Sequence, residues 1–287
     1  MNGTSRRDFL RAGGVALGAC RFGAKGAEKG AADGSAARLD RIGIQLYTVR
    51  REFVGDPEGT LARLAEIGFR EVEFAGYPPG NPQATRGMLE RHGLRAPSSH
   101  VALRTADADW ERTLDQAAQI GQRHVVVASV APSERQTADD WKRIAAQFNL
   151  AGHAARRHGM QFCYHNHDFE FVPLDGVIPY DLLLAQTDPR LVQLELDLFW
   201  ITKGGKDPLE YFAKWPGRFP LVHVKDMDAS PGRFFADVGT GVIDFRRIFR
   251  QAGQAGIQHY FYEQDETPGS PLDSAKASYE YLRGLRF

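Results

Sequence analysis

Two histidines and two acidic residues follow one apolar run near the middle of the chain. The segment FCYHNHDFEF, residues 162–171, places His165 and His167 two positions apart, with Asp168 and Glu170 close behind them. Imidazoles and carboxylates at one point of a fold can bind a metal ion, form an acid–base pair or lie in a solvated loop. The rest of the chain has to distinguish these three roles.

Polar pairs with the same spacing end three further apolar runs: Glu195 with Asp197, His223 with Lys225, and Glu263 with Asp265. Because side chains alternate across a β-strand, residues two positions apart share a face. Each pair therefore lies on one face of its strand, and apolar neighbours occupy the other face: Leu194, Leu196, Val222 and Val224. An interior that holds this much charge is costly unless the polar groups bind something.

The elements that must position these residues alternate regularly from Arg41 onward. Eight short apolar runs are typical of strands: residues 42–47, 70–75, 94–100, 123–129, 160–165, 191–197, 220–226 and 258–264. Amphipathic stretches separate the runs; the longest has Thr137 as a predicted N-cap and Gly159 as a predicted stop. Eight β-then-α units in about 250 residues predict a (β/α)8 TIM barrel. A doubly wound open sheet is the alternative, but QLYTVRREF replaces the glycine fingerprint after the first strand.

Active groups of such a barrel lie at the C-terminal ends of the strands. Strands five to eight would supply a divalent metal site with mixed nitrogen and oxygen ligands: His165, Asp197, His223 and Glu263. Strands one to three add further polar residues: Gln45, Tyr47, Glu73 and His100. Glu195 lies one layer deeper than Asp197, so we expect it to make a buried structural hydrogen bond.

Composition excludes several classes of protein. The chain has 287 residues, of which 43% are hydrophobic, enough for one large core. Lys plus Arg and Asp plus Glu both number 36, so the charge balance does not point to nucleic acid or an anionic membrane surface. Two cysteines make neither a disulfide framework nor a structural zinc site. No apolar run approaches the ~20 residues of a membrane-spanning helix.

The N-terminal region differs in composition from the rest. Arg6 and Arg7, followed by Phe9 and Leu10, resemble a twin-arginine export signal; a basic tail is the alternative. The segment LGAC resembles a lipoprotein cleavage box with Cys20 as the lipidated residue. A Gly- and Ala-rich linker follows. We therefore expect an export signal and linker over 1–38, a single catalytic barrel over 39–287, and a periplasmic location.

Several stretches together resemble the sugar phosphate isomerase/epimerase superfamily of xylose isomerase-like TIM barrels: IGIQLYTVR, GFREVEFAG, SSHVAL, YHNHDFEF, VGTGVIDFRRIF and YFYEQDE. The resemblance covers about residues 41–287. It implies one divalent cation, commonly manganese, zinc or cobalt, with ligands that match His165, Asp197, His223 and Glu263. It also implies a small-molecule sugar or keto-sugar as the substrate.

The end of strand five departs from this family. Many members carry Glu-Asn-His there, with the Glu as a metal ligand, whereas this chain carries His165-Asn166-His167. Epimerases of the family often use paired glutamates on strands five and eight. A symmetric proton exchange between two glutamates is therefore not expected here.

The expected reaction is proton abstraction next to a carbonyl, by an isomerase or epimerase. The candidate bases are Glu263, His167 and Glu73, and Lys225 would stabilise negative charge on oxygen. The predicted substrate contacts are Gln45, Tyr47, His100, Trp200 and Asp265. One alternative is a lyase or dehydratase acting on a 3-keto-glycoside or keto-inositol, and a second is a non-catalytic sugar-binding barrel.

Nuclease chemistry and phosphate binding are two further alternatives. Endonuclease relatives of this fold need a further histidine three residues after the strand-six Asp, where this chain has Trp200. That difference and the zero net charge argue against a nuclease. The segment VGTGVIDF, residues 238–245, could supply backbone N–H groups to a phosphate near a helix start.

Overall fold

A computed structural model describes residues 36–77, 80–103 and 108–287. Ala36–Phe287 form one compact unit. The predicted export signal and Cys20 lie outside the described residues. Within the described part, no helix is long and apolar enough to cross a bilayer.

Eight parallel strands close into a barrel. They are β1 (Gly43–Gln45), β2 (Glu71–Ala75), β3 (Arg95–Val101), β4 (His124–Val127), β5 (Gln161–His165), β6 (Val192–Asp197), β7 (Leu221–Val224) and β8 (His259–Tyr262). Each strand pairs with the next in the chain, and β8 pairs with β1 to close the sheet. The predicted (β/α)8 barrel is confirmed.

Helices connect the strands around the outside. They are α1 (Arg50–Gly55), α2 (Pro57–Ile67), α3 (Pro82–Arg91), α4 (Ala108–Ile120), α5 (Ala138–Arg157), α6 (Pro179–Gln186), α7 (Leu198–Lys203), α8 (Pro208–Lys214), α9 (Phe245–Phe249), α10 (Ala252–Ala255) and α11 (Pro271–Gly284). Short 3-10 turns span Leu46–Val49, Pro132–Glu134 and Phe169–Phe171. A small antiparallel hairpin pairs Asp226–Met227 with Phe235–Ala236.

Helix α5 begins and ends at the predicted residues. The Thr137 side chain accepts a hydrogen bond from the backbone N–H of Asp140, and the Asp140 carboxylate accepts one from the N–H of Thr137. This reciprocal capping box satisfies two N–H groups that have no partner within the helix. Gly159 adopts a φ of 71° just after the helix, a left-handed conformation that other residues enter at a cost. Local capping chemistry therefore predicted both ends.

The alternation of side chains separates the barrel interior from the layer under the helices. Val126, Cys163, Leu221 and Phe261 form a small apolar cluster of their own. The residues predicted for the opposite face pack into the large core that includes the helices: Leu194, Leu196, Val222 and Val224. This pattern confirms the faces predicted for β6 and β7. The polar strand ends therefore lie inside the barrel.

The loop after the hairpin, residues 238–245, does not form the phosphate-binding site that its sequence allowed. The two carboxylate oxygens of Asp226 accept hydrogen bonds from the backbone N–H groups of Gly239, Gly241 and Ile243 at 2.9, 3.0 and 3.2 Å. Because a carboxylate of the chain already uses these N–H groups, they do not face an open anion site. A Cβ at Gly241 would collide with that carboxylate and with the Met227 carbonyl oxygen, so the loop closes tightly around Asp226.

Candidate active site

The four predicted metal ligands meet at the C-terminal end of the barrel. His165, Asp197, His223 and Glu263 each bring one ligand atom within 4.8 Å of the others, and all four are buried. His223 Nδ1 lies 2.9 Å from Glu263 Oε2 and 3.7 Å from Asp197 Oδ2. His165 Nε2 lies 3.4 Å from Asp197 Oδ2. Two imidazole nitrogens and two carboxylate oxygens at this spacing fit a divalent transition metal or zinc.

Neighbouring groups orient two of these ligands. Asp197 is the N-cap of α7, and its Oδ1 accepts hydrogen bonds from the N–H groups of Phe199 and Trp200, which leaves Oδ2 to face the cluster. His165 Nδ1 lies 3.2 Å from the Ala128 carbonyl oxygen, so Nδ1 carries the hydrogen and Nε2 presents a lone pair to Asp197. The contact between His165 and Ala128 was not foreseen, because no sequence spacing connects two residues that are 37 positions apart.

Lys225 is the cation of the site. Its Nζ lies 2.7 Å from Glu263 Oε2, 3.1 Å from Asp197 Oδ2 and 3.0 Å from Asp265 Oδ1. Burial by itself would lower the pKa of Lys225, but the three carboxylates outweigh it and raise that pKa, so the ammonium form persists. Burial likewise opposes ionisation of Asp197 and Glu263, yet Lys225 leads the charges that hold both carboxyl pKa values well below their usual range. Both carboxyl groups are therefore ionised, as metal ligands must be.

A second polar layer lies beneath His223. Glu73 Oε2 is 2.8 Å from His223 Nε2, and Glu195 Oε2 is 2.8 Å from His100 Nε2. The buried hydrogen bond expected of Glu195 is present. Burial, reinforced by the negative charge of Glu73, raises the pKa of Glu195 well above its usual value. Burial also opposes the ionisation of Glu73, but the charge of His100 and a hydrogen bond from His223 lower its pKa to about 2.

A cavity of about 200 Å³ opens above the cluster. Seven predicted site residues line it: Tyr47, His100, His165, His167, Lys225, Glu263 and Asp265. Gln45 and Glu73 do not line it, because both side chains are fully buried and Gln45 Nε2 donates to Glu73 Oε2 at 2.8 Å. Their predicted contact with substrate does not fit this position. They belong to the layer below.

His167 and Trp200 stand together at one side of the site. Their ring centroids are 5.4 Å apart, and the Trp200 ring lies 5.4 Å from Lys225 Nζ. Neither His167 Nδ1 nor Trp200 Nε1 has a hydrogen-bond partner in the described structure. Burial lowers the pKa of His167 to about 3, so its imidazole is neutral at neutral pH. His167 is therefore a neutral imidazole close to the Lys225 ammonium.

Glu170, the last acidic residue of the opening segment, is not part of the cluster of candidate metal ligands. It is fully buried and accepts hydrogen bonds from the Tyr164 hydroxyl at 2.5 Å and from the His167 backbone N–H at 2.8 Å. Burial raises the pKa of Glu170 to about 7. Its role is to hold the turn that carries His167.

Arg50 is a site-rim residue that the sequence reasoning missed. Its guanidinium lies 4.3 Å from the centre of the Tyr47 ring, and it donates a hydrogen bond to the Asp265 carbonyl oxygen at 2.8 Å. It thereby links the ends of β1 and β8. The sequence contains no signal for this contact, since the two residues are 215 positions apart.

Barrel and site together define a (β/α)8 protein with a buried cluster of His, Asp and Glu side chains at its C-terminal mouth. A family model described as xylose isomerase-like TIM barrel matches residues 61–285. The chain belongs to this family, as the sequence resemblance predicted. It is an enzyme.

Curated relatives and solved structures agree with this assignment. An inosose dehydratase of Lacticaseibacillus casei is 26% identical over 254 residues, which cover 75% of this chain and 85% of the relative. An inosose dehydratase of Klebsiella pneumoniae is 24% identical over 257 residues, with the same coverage. A sugar phosphate isomerase/epimerase from Parabacteroides distasonis superposes with a TM-score of 0.74 at 29% identity, covering 87% of this chain and 96% of the other.

Proposed function

We propose that the protein is a divalent-metal-dependent enzyme that removes a proton next to the carbonyl of a keto-sugar or keto-polyol and then eliminates water. The observation that carries the proposal is the convergence of His165, Asp197, His223 and Glu263 at the floor of the mouth cavity. When bound, a divalent cation there would polarise substrate oxygens as a Lewis acid. Manganese, zinc and cobalt all remain candidates for this ion.

The chain's own residues supply the remaining chemistry. Lys225 is buried and charged beside the ligands, where it stabilises negative charge that develops on a substrate oxygen. Glu263 lines the cavity as a carboxylate and is the candidate base. The neutral ring of His167 is placed to hydrogen-bond a substrate hydroxyl. The proton that Glu263 takes from carbon then passes to that hydroxyl, which leaves as water and restores the carboxylate. Tyr47, Asp265 and His100 complete the polar lining.

Elimination suits this cavity better than epimerisation. Epimerisation needs a base on each face of the reacting carbon, but the two carboxylates that line the cavity, Glu263 and Asp265, both follow β8. The end of β5 contributes His165 where many family members have a glutamate. The inosose dehydratases among the relatives support the same preference, because a dehydratase eliminates water.

An isomerase or epimerase is the second candidate. The Parabacteroides structure at 29% identity favours it, and an isomerisation that moves a proton along one face needs only one base. The alternative of a non-catalytic sugar-binding barrel is not retained, because the chain is an enzyme.

The two candidates differ in the fate of the abstracted proton. We would incubate protein reconstituted with Mn²⁺, Zn²⁺ or Co²⁺ with inosose and with 3-keto-glucosides in deuterium oxide and follow the reaction by NMR. Dehydration yields a product that has lost one water. Isomerisation or epimerisation yields a product of unchanged formula with deuterium on carbon. If no compound of the panel exchanges a proton or loses water with any of the three metals, the proposal is wrong for this substrate class.

A further inference from the structure

A second group of metal-type ligands lies one layer below the proposed metal site. Glu73 on β2, His100 on β3, Glu195 on β6 and His223 on β7 each bring one ligand atom within 4.8 Å of the others. Glu73, Glu195 and His223 have no exposed surface, whereas His100 reaches the mouth cavity. We call these four residues the lower cluster. The proposed reaction uses none of its carboxylates.

The spacing of the lower cluster is close to that of a tetrahedral cation site. His223 Nε2 lies 2.8 Å from Glu73 Oε2 and 3.3 Å from Glu195 Oε2. His100 Nε2 lies 2.8 Å from Glu195 Oε2 and 3.4 Å from Glu73 Oε2. Four ligands at zinc-like distances around one ion stand about 3.3 Å apart. The shorter pairs need to open by only about 0.5 Å to admit an ion of that size.

The charges and hydrogen bonds of the lower cluster also favour a cation site. The ion pairs that the described structure shows for Glu73 and Glu195 are with imidazoles, not with lysine or arginine. Glu73 Oε1 and Glu195 Oε1 are buried without a hydrogen-bond partner there. A divalent cation bound here would take the place of a proton on this pair of buried carboxyl groups, because carboxyl ligands of a metal are deprotonated. Lys225 instead pairs with Asp197 and Glu263 of the metal site proposed above, which we call the upper site.

His223 faces both groups of ligands through different ring nitrogens. Its Nδ1 points to Glu263 and Asp197, and its Nε2 points to Glu73 and Glu195. We propose that the lower cluster is a second divalent-cation site and that His223 bridges the two ions. Both ring nitrogens of His223 and both carboxyl groups must then be free of hydrogen, so binding of the second ion releases the last N–H proton of His223 and the carboxyl proton of Glu195 to solvent. This inference rests on the proposed upper site.

Metal stoichiometry tests the inference without an activity assay. Full-length metal-free protein is titrated with Zn²⁺ near neutral pH, desalted, and analysed for bound zinc per chain. We expect two ions in the wild type and one in Glu195→Gln, which removes a charged ligand at nearly constant volume. Glu170→Gln is the matched control, because Glu170 is an equally buried glutamate outside both clusters. It should retain two ions.

The remaining outcomes separate the two proposed sites. Asp197→Asn should lose the upper ion and keep the lower one. One ion in both the wild type and Glu195→Gln overturns the second site, because protons then fill the lower cluster. Two ions in both proteins overturn its assignment to Glu195. No ion in the wild type overturns the upper site as well. If Glu195→Gln does not fold by circular dichroism, His100→Asn at the cavity edge replaces it with the same expectation.

Discussion

At the scale of single residues, opposite charges stabilise the buried polar side chains at the mouth of the barrel. Asp197, Glu263 and Asp265 are held together in a buried space by one ammonium group, that of Lys225. The three carboxylates also fix the position of the Lys225 ammonium, because a cation in contact with three anions has little freedom to move. The same cation keeps the carboxyl groups of Asp197 and Glu263 ionised.

Replacing Asp197 by Ala should sharply reduce the bound divalent metal. The change removes a charged ligand and the N-cap of α7. Asp265→Ala is the comparison, since Asp265 contacts Lys225 but belongs to neither ligand group. Elemental analysis of both variants measures the difference. Wild-type metal content in Asp197→Ala would count against the assigned upper site.

Lys225→Met should lower turnover of an identified substrate by about a hundredfold or more, the loss typical when an oxyanion loses a stabilising donor. Metal content should persist, because Lys225 is not a proposed ligand. Lys214→Met removes an exposed lysine whose ion pair with Asp181 lies at the surface, and it should retain wild-type turnover. Equal rates in Lys225→Met and the wild type would contradict the proposed role of the ammonium.

At the scale of elements, the segment after β7 is organised by one carboxylate. Asp226 accepts backbone hydrogen bonds on both oxygens, from Met227 and Ile243 on Oδ1 and from Gly239 and Gly241 on Oδ2. It thereby joins the hairpin to the loop that leads into α9. Because Lys225 is its neighbour in the chain, this arrangement also fixes where the ammonium enters the site.

Asp226→Asn should lower the free energy of unfolding by about 2–4 kcal/mol. The amide can accept on one atom only, so its NH₂ group would face two buried N–H donors that lose their partner. Asp228→Asn is the matched control in the same hairpin, because Asp228 accepts its hydrogen bonds from Ser230 and Phe234 through Oδ1 alone. Urea unfolding of both variants measures the cost. A similar small loss in both would show that the second oxygen of Asp226 is dispensable.

At the scale of the whole molecule, the two ends of the barrel interior differ. The C-terminal end opens into the mouth cavity, whereas polar side chains close the N-terminal end. There Glu71 accepts hydrogen bonds from Arg95 and His259, and the rings of His259 and His124 are 5.6 Å apart. Polar side chains therefore bond to one another at the N-terminal end of the barrel, whereas at the C-terminal end they line a cavity.

The buried His124 should make the stability of the barrel depend on pH. Burial, with the nearby His259, lowers the pKa of His124 to about 4, below the value of about 6.5 in an unfolded chain. Its neutral form is therefore favoured by folding. The associated stability is fully present above pH of about 6.5 and is lost as the pH falls towards 4.

The change is on the order of 3 kcal/mol for this residue. Unfolding by urea as a function of pH should show a smaller acid-side loss in His124→Gln than in the wild type. His153→Gln, at an exposed histidine, should keep the wild-type profile. Identical profiles for His124→Gln and the wild type would rule out His124 as the source.

We propose that the chain is exported, and Arg6 and Arg7 support the proposal. Cell fractionation should find the wild type outside the cytoplasm, and replacing both arginines by lysine should retain the protein inside. Cys20→Ala would separate membrane anchoring by a lipid from soluble export. Wild-type protein that stays in the cytoplasm, uncleaved and unanchored, would contradict the proposal.

The sequence by itself determined the strands, the barrel and the face and edge on which the four clustered His, Asp and Glu residues lie, because these depend on local patterns. Alternation with a period of two specifies the face on which a side chain lies, and a strand end specifies the edge of the sheet. His165, Asp197, His223 and Glu263 all follow from these two rules. The family also follows from short segments that the chain contains intact.

Only the tertiary structure decided how deep each polar side chain lies and which groups it meets. The face of a strand does not reveal height along the barrel axis, which depends on register and tilt between strands. For this reason Gln45 and Glu73 were expected at the substrate but lie beneath His223. Likewise, the sequence alone left the backbone N–H groups of residues 238–245 free to bind a phosphate. In the structure, Asp226 accepts hydrogen bonds from two of them, those of Gly239 and Gly241. Such pairings join residues far apart in the chain, and no local pattern encodes them.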